Sequence, residues 1–132
     1  MIYEKITGKI LTAFFNVYNV LGYGFLERVY INSLVIELTK LGLMVKGEDE
    51  IQVYYEGEQV GKYFADLIVE DLVIIEVKTA EGFRNEHLAQ LKNYLRATDI
   101  EIGLLLNFGN KPEFKRLIFT NDLKAGHQSS QI

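Results

Sequence analysis

One short segment limits the fold more than any other. Residues 72–79 read LVIIEVKT, an apolar run of strand length whose composition suits a strand covered on both faces. Such a strand needs a packed layer on each side of its sheet, so helices must flank the sheet front and back. Two charges interrupt the run. Glu76 and Lys78 are two residues apart and therefore project from the same face. Ionised groups at such positions cost several kcal/mol unless they are paired or ligated. Asp66 interrupts the preceding apolar stretch of Phe64, Ala65, Leu67, Ile68 and Val69 in the same way.

The rest of the chain supplies the expected layers. Ile6, Ile10, Phe14, Val17 and Leu21 recur at spacings of three and four, which predicts a helix ending at Gly22-Tyr23-Gly24. A second helix is expected over residues 25–41, with Leu26, Tyr30, Leu34, Leu38 and Leu41 as its stripe and Gly42 as a left-handed cap. Strands follow. Ile51, Val53 and Tyr55 alternate with polar residues, 56–58 reads as a turn, and 60–69 returns as a second strand. After the third strand at 72–79, Asn85 can cap a helix carrying Leu88, Leu91 and Leu95 as far as Asp99. Residues 102–108 (IGLLLNF) form another buried strand, and 116–120 a last one after Pro112. The order ααβββαββ predicts an α/β fold, a mixed sheet flanked by helices.

Register decides whether the charges meet. A two-residue turn at Glu70-Asp71 would pair Val69 with Leu72 and set Asp66 opposite Ile75, sending Asp66 and Glu76 to opposite faces. Glu70-Asp71 is also a poor match for a tight primed turn, which favours Asn or Gly. Convergence requires a bulge or a three-residue loop centred on Asp71.

With 132 residues, the chain is read as one domain over 1–123 and a small, polar, disordered tail over 124–132. It contains no cysteine, which removes disulfides and thiolate metal sites. No uninterrupted apolar segment resembles a signal peptide or approaches the ~18 residues of a membrane span. A cytoplasmic protein without a membrane partner is expected. The net charge of −4 and the lack of a basic run argue against tight non-specific nucleic-acid binding. Metal ligands contribute part of that negative count, and bound divalent ions offset it.

Asp66 and Glu76, once adjacent, repel each other, and one pKa must rise unless a cation lies between them. Lys78 can supply part of that cation. A divalent metal can supply the rest, although a structural Asp-Lys-Glu ion network satisfies the same spacing. Glu27 lies three residues before Tyr30 in the segment GFLERVY, which begins at Gly24. Gln90 and Tyr94 are four apart and share a helix face, with His87 one turn earlier. Each has an ordinary structural role to weigh against chemistry. Tyr30 and Tyr94 suit core or rim packing, His87 a helix start, and Gln90 a supporting hydrogen bond. Asn107 reads as a turn residue, and His127 falls in the tail.

Asp66 followed by Glu76-Val77-Lys78 on adjacent strands resembles the signature of the PD-(D/E)XK nuclease superfamily, with Ala65 at the position of its proline. GFLERVY resembles the G-x-x-E-x-x-Y motif of the bacterial GxxExxY protein family within it, and Gln90 with Tyr94 resembles the Q-x-x-x-Y element of its exonuclease-like branches. The resemblance implies a restriction-endonuclease-like fold and hydrolysis of phosphodiester bonds in DNA or RNA. It implies that Asp66, Glu76 and the Val77 carbonyl hold Mg²⁺ or Mn²⁺, with Glu27 completing the shell. Lys78 would orient or deprotonate the attacking water, with Gln90 beside it in the catalytic group. Tyr94, Tyr30 and His87 would contact substrate or support the site. An all-oxygen set suits Mg²⁺ or Mn²⁺ better than zinc. The rival expectations are a catalytically idle module binding nucleic acid or a protein partner, and a structural domain using the triad as an ion network. The small surface of one domain suggests a homodimer.

Overall fold

A computed structural model describes residues 2–124. Two helices come first, α1 (Ile2–Leu21) and α2 (Glu27–Lys40), and then three strands, β1 (Val45–Tyr55), β2 (Glu58–Val69) and β3 (Val73–Lys78). Helix α3 (Asn85–Arg96) crosses over to β4 (Ile102–Phe108) and β5 (Pro112–Ile118), and a single 3₁₀ turn (Asn121–Leu123) follows. The five strands lie in the order β1-β2-β3-β4-β5. β3 and β4 are parallel, as a helical crossover requires, and every other neighbouring pair is antiparallel. The mixed sheet and the element order are those expected.

Alternate residues of the central strands feed two cores. Leu67, Val69, Val73, Ile75, Val77, Leu104 and Leu106 pack with Ile10, Phe14, Tyr30 and Leu34 of α1 and α2. Ile68, Ile74 and Leu105 turn the other way and meet Leu91, Tyr94 and Leu95 of α3. Gly103 permits that second contact, because a Cβ there would lie 2.8 Å from the Leu91 side chain. The sheet is thus covered by two helices on one face and one on the other.

The C-terminal cap of α2 is the one expected, whereas several other ends differ from the sequence expectation for physical reasons. The α2 helix closes with Gly42 at φ 81°, where Leu43 N–H donates to Leu38 O and Gly42 N–H to Thr39 O, a Schellman arrangement. The N-cap of α3 is Arg84 rather than Asn85, and Arg84 N–H donates to His87 Nδ1 at 3.3 Å. β1 begins at Val45, six residues before the alternation at Ile51, because it pairs with β2 where side chains on both of its faces are largely exposed. β5 begins at Pro112, not Arg116, and Phe108 pairs with Pro112 across the turn. Lys124, expected to open the tail, is 1% exposed, and its Nζ donates to Thr98 O and Ile100 O. The remainder of the expected tail, with His127, lies outside the described residues.

Candidate active site

The β2–β3 connection is the three-residue loop centred on Asp71 that convergence requires. Val69 pairs with Val73, Ile68 with Ile74 and Leu67 with Ile75, leaving Glu70, Asp71 and Leu72 as the loop. Glu70 and Asp71 nevertheless both take positive φ, 54° and 53°, the region a primed turn demands, so it is the odd loop length and not residue preference that sets the register. Beyond Leu67 and Ile75, side chains replace the ladder. Asp66 N–H donates to Glu76 Oε2 at 2.8 Å, and Val77 N–H donates to Asp66 Oδ2 at 2.8 Å. Each carboxylate commits one oxygen to the neighbouring backbone. Among the described residues, Asp66 Oδ1 and Glu76 Oε1 have no hydrogen bond.

The electrostatics of the pair are unfavourable. Glu76 is 4% exposed. Its burial, reinforced by the charge of Asp66, pushes its carboxyl up to about 8, against the opposing pull of the Asp66 N–H and Lys78. Asp66 is half-buried, and burial raises its carboxyl as well, opposed by the Val77 N–H and by Lys78 and Arg28. Lys78 does not close an ion pair onto either carboxylate. Its Nζ donates instead to Gln90 Oε1 at 3.4 Å, and Gln90 Nε2 donates to Tyr94 Oη at 3.0 Å. Burial and then the charge of Glu76 raise the Tyr94 phenol. Asp66, Glu76, Lys78, Gln90 and Tyr94 therefore form one connected group across β2, β3 and α3.

The other expected residues lie further out. Glu27 is exposed at the first residue of α2, close enough for its charge to raise Glu76. It does not join the pair as a third ligand: among the described residues no group of three or more His, Asp or Glu is placed to hold a metal ion. Tyr30 sits in the core, with its ring stacked 4.2 Å from that of Phe108. Its hydroxyl donates to Gly22 O at 2.8 Å and accepts from Phe25 N–H at 3.2 Å, so it pins the α1–α2 turn. His87 caps α3 and lines a groove beside Gln90 and Tyr94. Val77 buries its side chain in the α1/α2 core.

Three contributors were not legible as such in the sequence. Glu48 stands across from Asp66 in the β1–β2 ladder, at φ 52° and between the pairs Gly47↔Leu67 and Asp49↔Ala65. Its carboxylate raises Asp66 and is held by Arg28 Nη2 at 2.6 Å. A positive φ on a glutamate in a strand has no sequence signal. Asn107, expected in a turn, is fully buried beside Lys78 in the parallel ladder. Its amide donates to Ala80 O and accepts from Ala80 N–H, both at 2.9 Å, and so fixes the backbone just past Lys78. Tyr63 extends the group outward, with its ring 5.8 Å from that of Tyr94.

The donor set fits a hard divalent ion. Two carboxylate oxygens remain free on adjacent strands, no sulfur is present, and the pair lacks the counter-charge its burial calls for. Mg²⁺ is commonly held by one or two carboxylates, with water and substrate phosphate filling the other positions, so a third acidic ligand is not required.

The sequence profile of the PD-(D/E)XK nuclease superfamily matches residues 4–117. The chain belongs to that superfamily. No curated protein matches it. Among solved structures, the crystal structure of SSO0001 aligns with a TM-score of 0.57 at 19% identity, over 80% of this chain and 56% of that one. At that identity the likeness speaks for the fold alone. Among the described residues, no helix is long and apolar enough to cross a membrane.

Proposed function

We propose that this protein is a Mg²⁺- or Mn²⁺-dependent nuclease hydrolysing phosphodiester bonds in DNA or RNA, of the GxxExxY kind within its superfamily. The observation that carries this reading is the convergence of Asp66 and Glu76 while Lys78 turns to Gln90. A structural ion network would bring the ammonium onto the carboxylates. Here the pair is left short of positive charge and the lysine is held apart for another task.

The residues divide the work. Asp66 and Glu76, with the Val77 carbonyl, would hold the ion, and Glu27 would reach it through water. When bound, the ion lowers the pKa of coordinated water and neutralises charge developing on phosphate. Lys78, oriented by the Gln90–Tyr94 hydrogen bonds, offers its Nζ protons to the attacking water or the phosphate oxygens. Asn107 keeps Lys78 in place by anchoring Ala80. One observation favours a second reading, an idle nucleic-acid-binding module: Glu27 stands apart from the pair, so the grouped carboxylates number two.

Nicking of plasmid DNA and cleavage of structured RNA in Mg²⁺ or Mn²⁺ separate the two. Glu76→Gln should lose cleavage and metal binding together. Lys78→Ala should retain a metal-dependent rise in melting temperature while losing cleavage by at least about a hundredfold. Equal cleavage by wild type and Lys78→Ala would refute the assignment. Metal binding without cleavage of either nucleic acid would favour the idle module.

A further inference from the structure

A groove of about 660 Å³ runs between the β1–β2 hairpin and α3, in the size range of small-molecule sites. Tyr54 and Tyr63 line it from the hairpin, and Gln90, Asn93, Tyr94 and Arg96 from the helix. Gln90 and Tyr94 also belong to the Lys78 hydrogen-bond chain, so the groove lies beside the candidate active site, sharing these two residues with it while Asp66, Glu76 and Lys78 stay outside its lining. The two hairpin tyrosines stay exposed, Tyr54 at 39% and Tyr63 at 50%. Tyr54 is oriented by a hydrogen bond from its hydroxyl to Gln52 Oε1. Glu86, the acidic residue of the lining, is paired with Arg84.

We infer that this groove takes an unpaired nucleobase next to the scissile phosphate, so that the substrate is single-stranded or carries a splayed-out base. The inference rests on the nuclease reading above and adds the substrate's form. Tyrosine rings bind the faces of any base by stacking, and Asn93, whose Oδ1 accepts from Arg96 Nη1 at 3.3 Å, turns an amide N–H donor and a second lone pair to a base edge. A base within a duplex has its faces covered by neighbours and its edge already paired, and cannot enter. Charge points the same way. A chain of net charge −4 without a basic run has little phosphate-driven grip, so affinity must come from contacts independent of charge. Stacking in this groove supplies them, and the Arg96 guanidinium in its lining is held by Asn93 Oδ1 and over the Phe119 ring.

The test is fluorescence anisotropy of short labelled single strands, one of thymidine and one of uridine, and of a blunt DNA duplex. Each is titrated with the whole chain in EDTA, so that cleavage does not intervene. At least one single strand should bind about tenfold or more tighter than the duplex, and the arm that binds tells DNA from RNA. Tyr63→Ala and Tyr54→Ala should each weaken that binding by roughly five- to a hundredfold, and Tyr63→Phe should keep it. Both tyrosines are substantially exposed, and Asn93→Ala, an exposed helical change, gives a second handle if a tyrosine variant fails to fold. The chain has no tryptophan but eight tyrosines, so stacking is read from the part of the tyrosine quenching, corrected for absorption by the bases, that Tyr54→Ala and Tyr63→Ala remove. Wild-type affinity in Tyr63→Ala, Tyr54→Ala and Asn93→Ala, or equal binding of duplex and single strand, overturns the groove assignment while leaving the nuclease reading intact. A wild type that neither binds nor cuts any of these nucleic acids overturns both.

Discussion

On one face of β3, Val73, Ile75 and Val77 are fully buried against α1 and α2, whereas on the other Ile74 gives way to Glu76 and Lys78. The first face is a packed core of aliphatic and aromatic side chains with its few polar atoms satisfied, as in Tyr30. The second has a smaller apolar cluster under α3, and it continues into crowded carboxylates and an open tyrosine-lined groove. The contrast separates two tasks. The helical pair on the first face holds the sheet rigid, and that rigidity lets the second face keep an electrostatic arrangement that opposes folding. Residues that break local packing rules in this way are where function is to be sought.

The largest effect should come from damaging the packed face. Ile75→Ala leaves a cavity where no side chain is exposed and should cost about 4 kcal/mol by denaturant titration. Added Mn²⁺ should restore little of it relative to wild type, since the carboxylates are untouched. Strong rescue by metal would mean that the two faces are not separate.

Next in size is the pH dependence of the charged face. Glu76 binds its proton more tightly in the folded protein than in the unfolded chain, because burial raises its carboxyl from 4.5 to about 8. Its cost to the metal-free fold is absent below pH 4.5, grows as pH rises through that window, and levels off above 8. Melting of metal-free protein should therefore show stability falling by a few kcal/mol over that range. Glu76→Gln should flatten the curve. A variant with the same slope as wild type would place the titrating group elsewhere.

The smallest effect concerns a residue that sequence motif and structure assign differently. Tyr30→Phe removes the bonds to Gly22 and Phe25 but keeps the ring on Phe108, and should cost about 1–2 kcal/mol. Cleavage and metal response should persist at wild-type rates once the protein is folded. A selective loss of cleavage would move Tyr30 from the core into the site.

The sequence makes some of this visible because charge inside an apolar strand is costly, and cost leaves a pattern. Asp66, Glu76 and Lys78 stand out on that ground, and strand parity then leaves a bulge or an odd loop at Asp71 as the ways for the two carboxylates to meet. Helix stripes are equally plain, because Ile10, Phe14, Leu34 and Leu38 recur at helical spacing. What stays hidden depends on contacts between distant segments. Glu48 reaches the site only because β1 pairs with β2 through a residue of positive φ, in a stretch without alternation. Asn107 looks like turn chemistry until the parallel ladder sets it beside Lys78. Glu27 fits a motif, but the spacing of a motif does not give the distance between a helix start and a strand.

If Asp66 and Glu76 are a metal-binding pair, a divalent ion should supply the positive charge that Lys78, bonded to Gln90, only partly provides. Thermal melts of wild type and Glu76→Gln with and without Mn²⁺ at neutral pH test it most directly. Wild type should gain about 2.7 kcal/mol at a hundredfold excess of Mn²⁺ over its dissociation constant. Glu76→Gln should begin more stable than wild type without metal and gain little from it. No upward shift of wild type at millimolar Mn²⁺, or an equal shift in both proteins, would rule out metal binding by this pair.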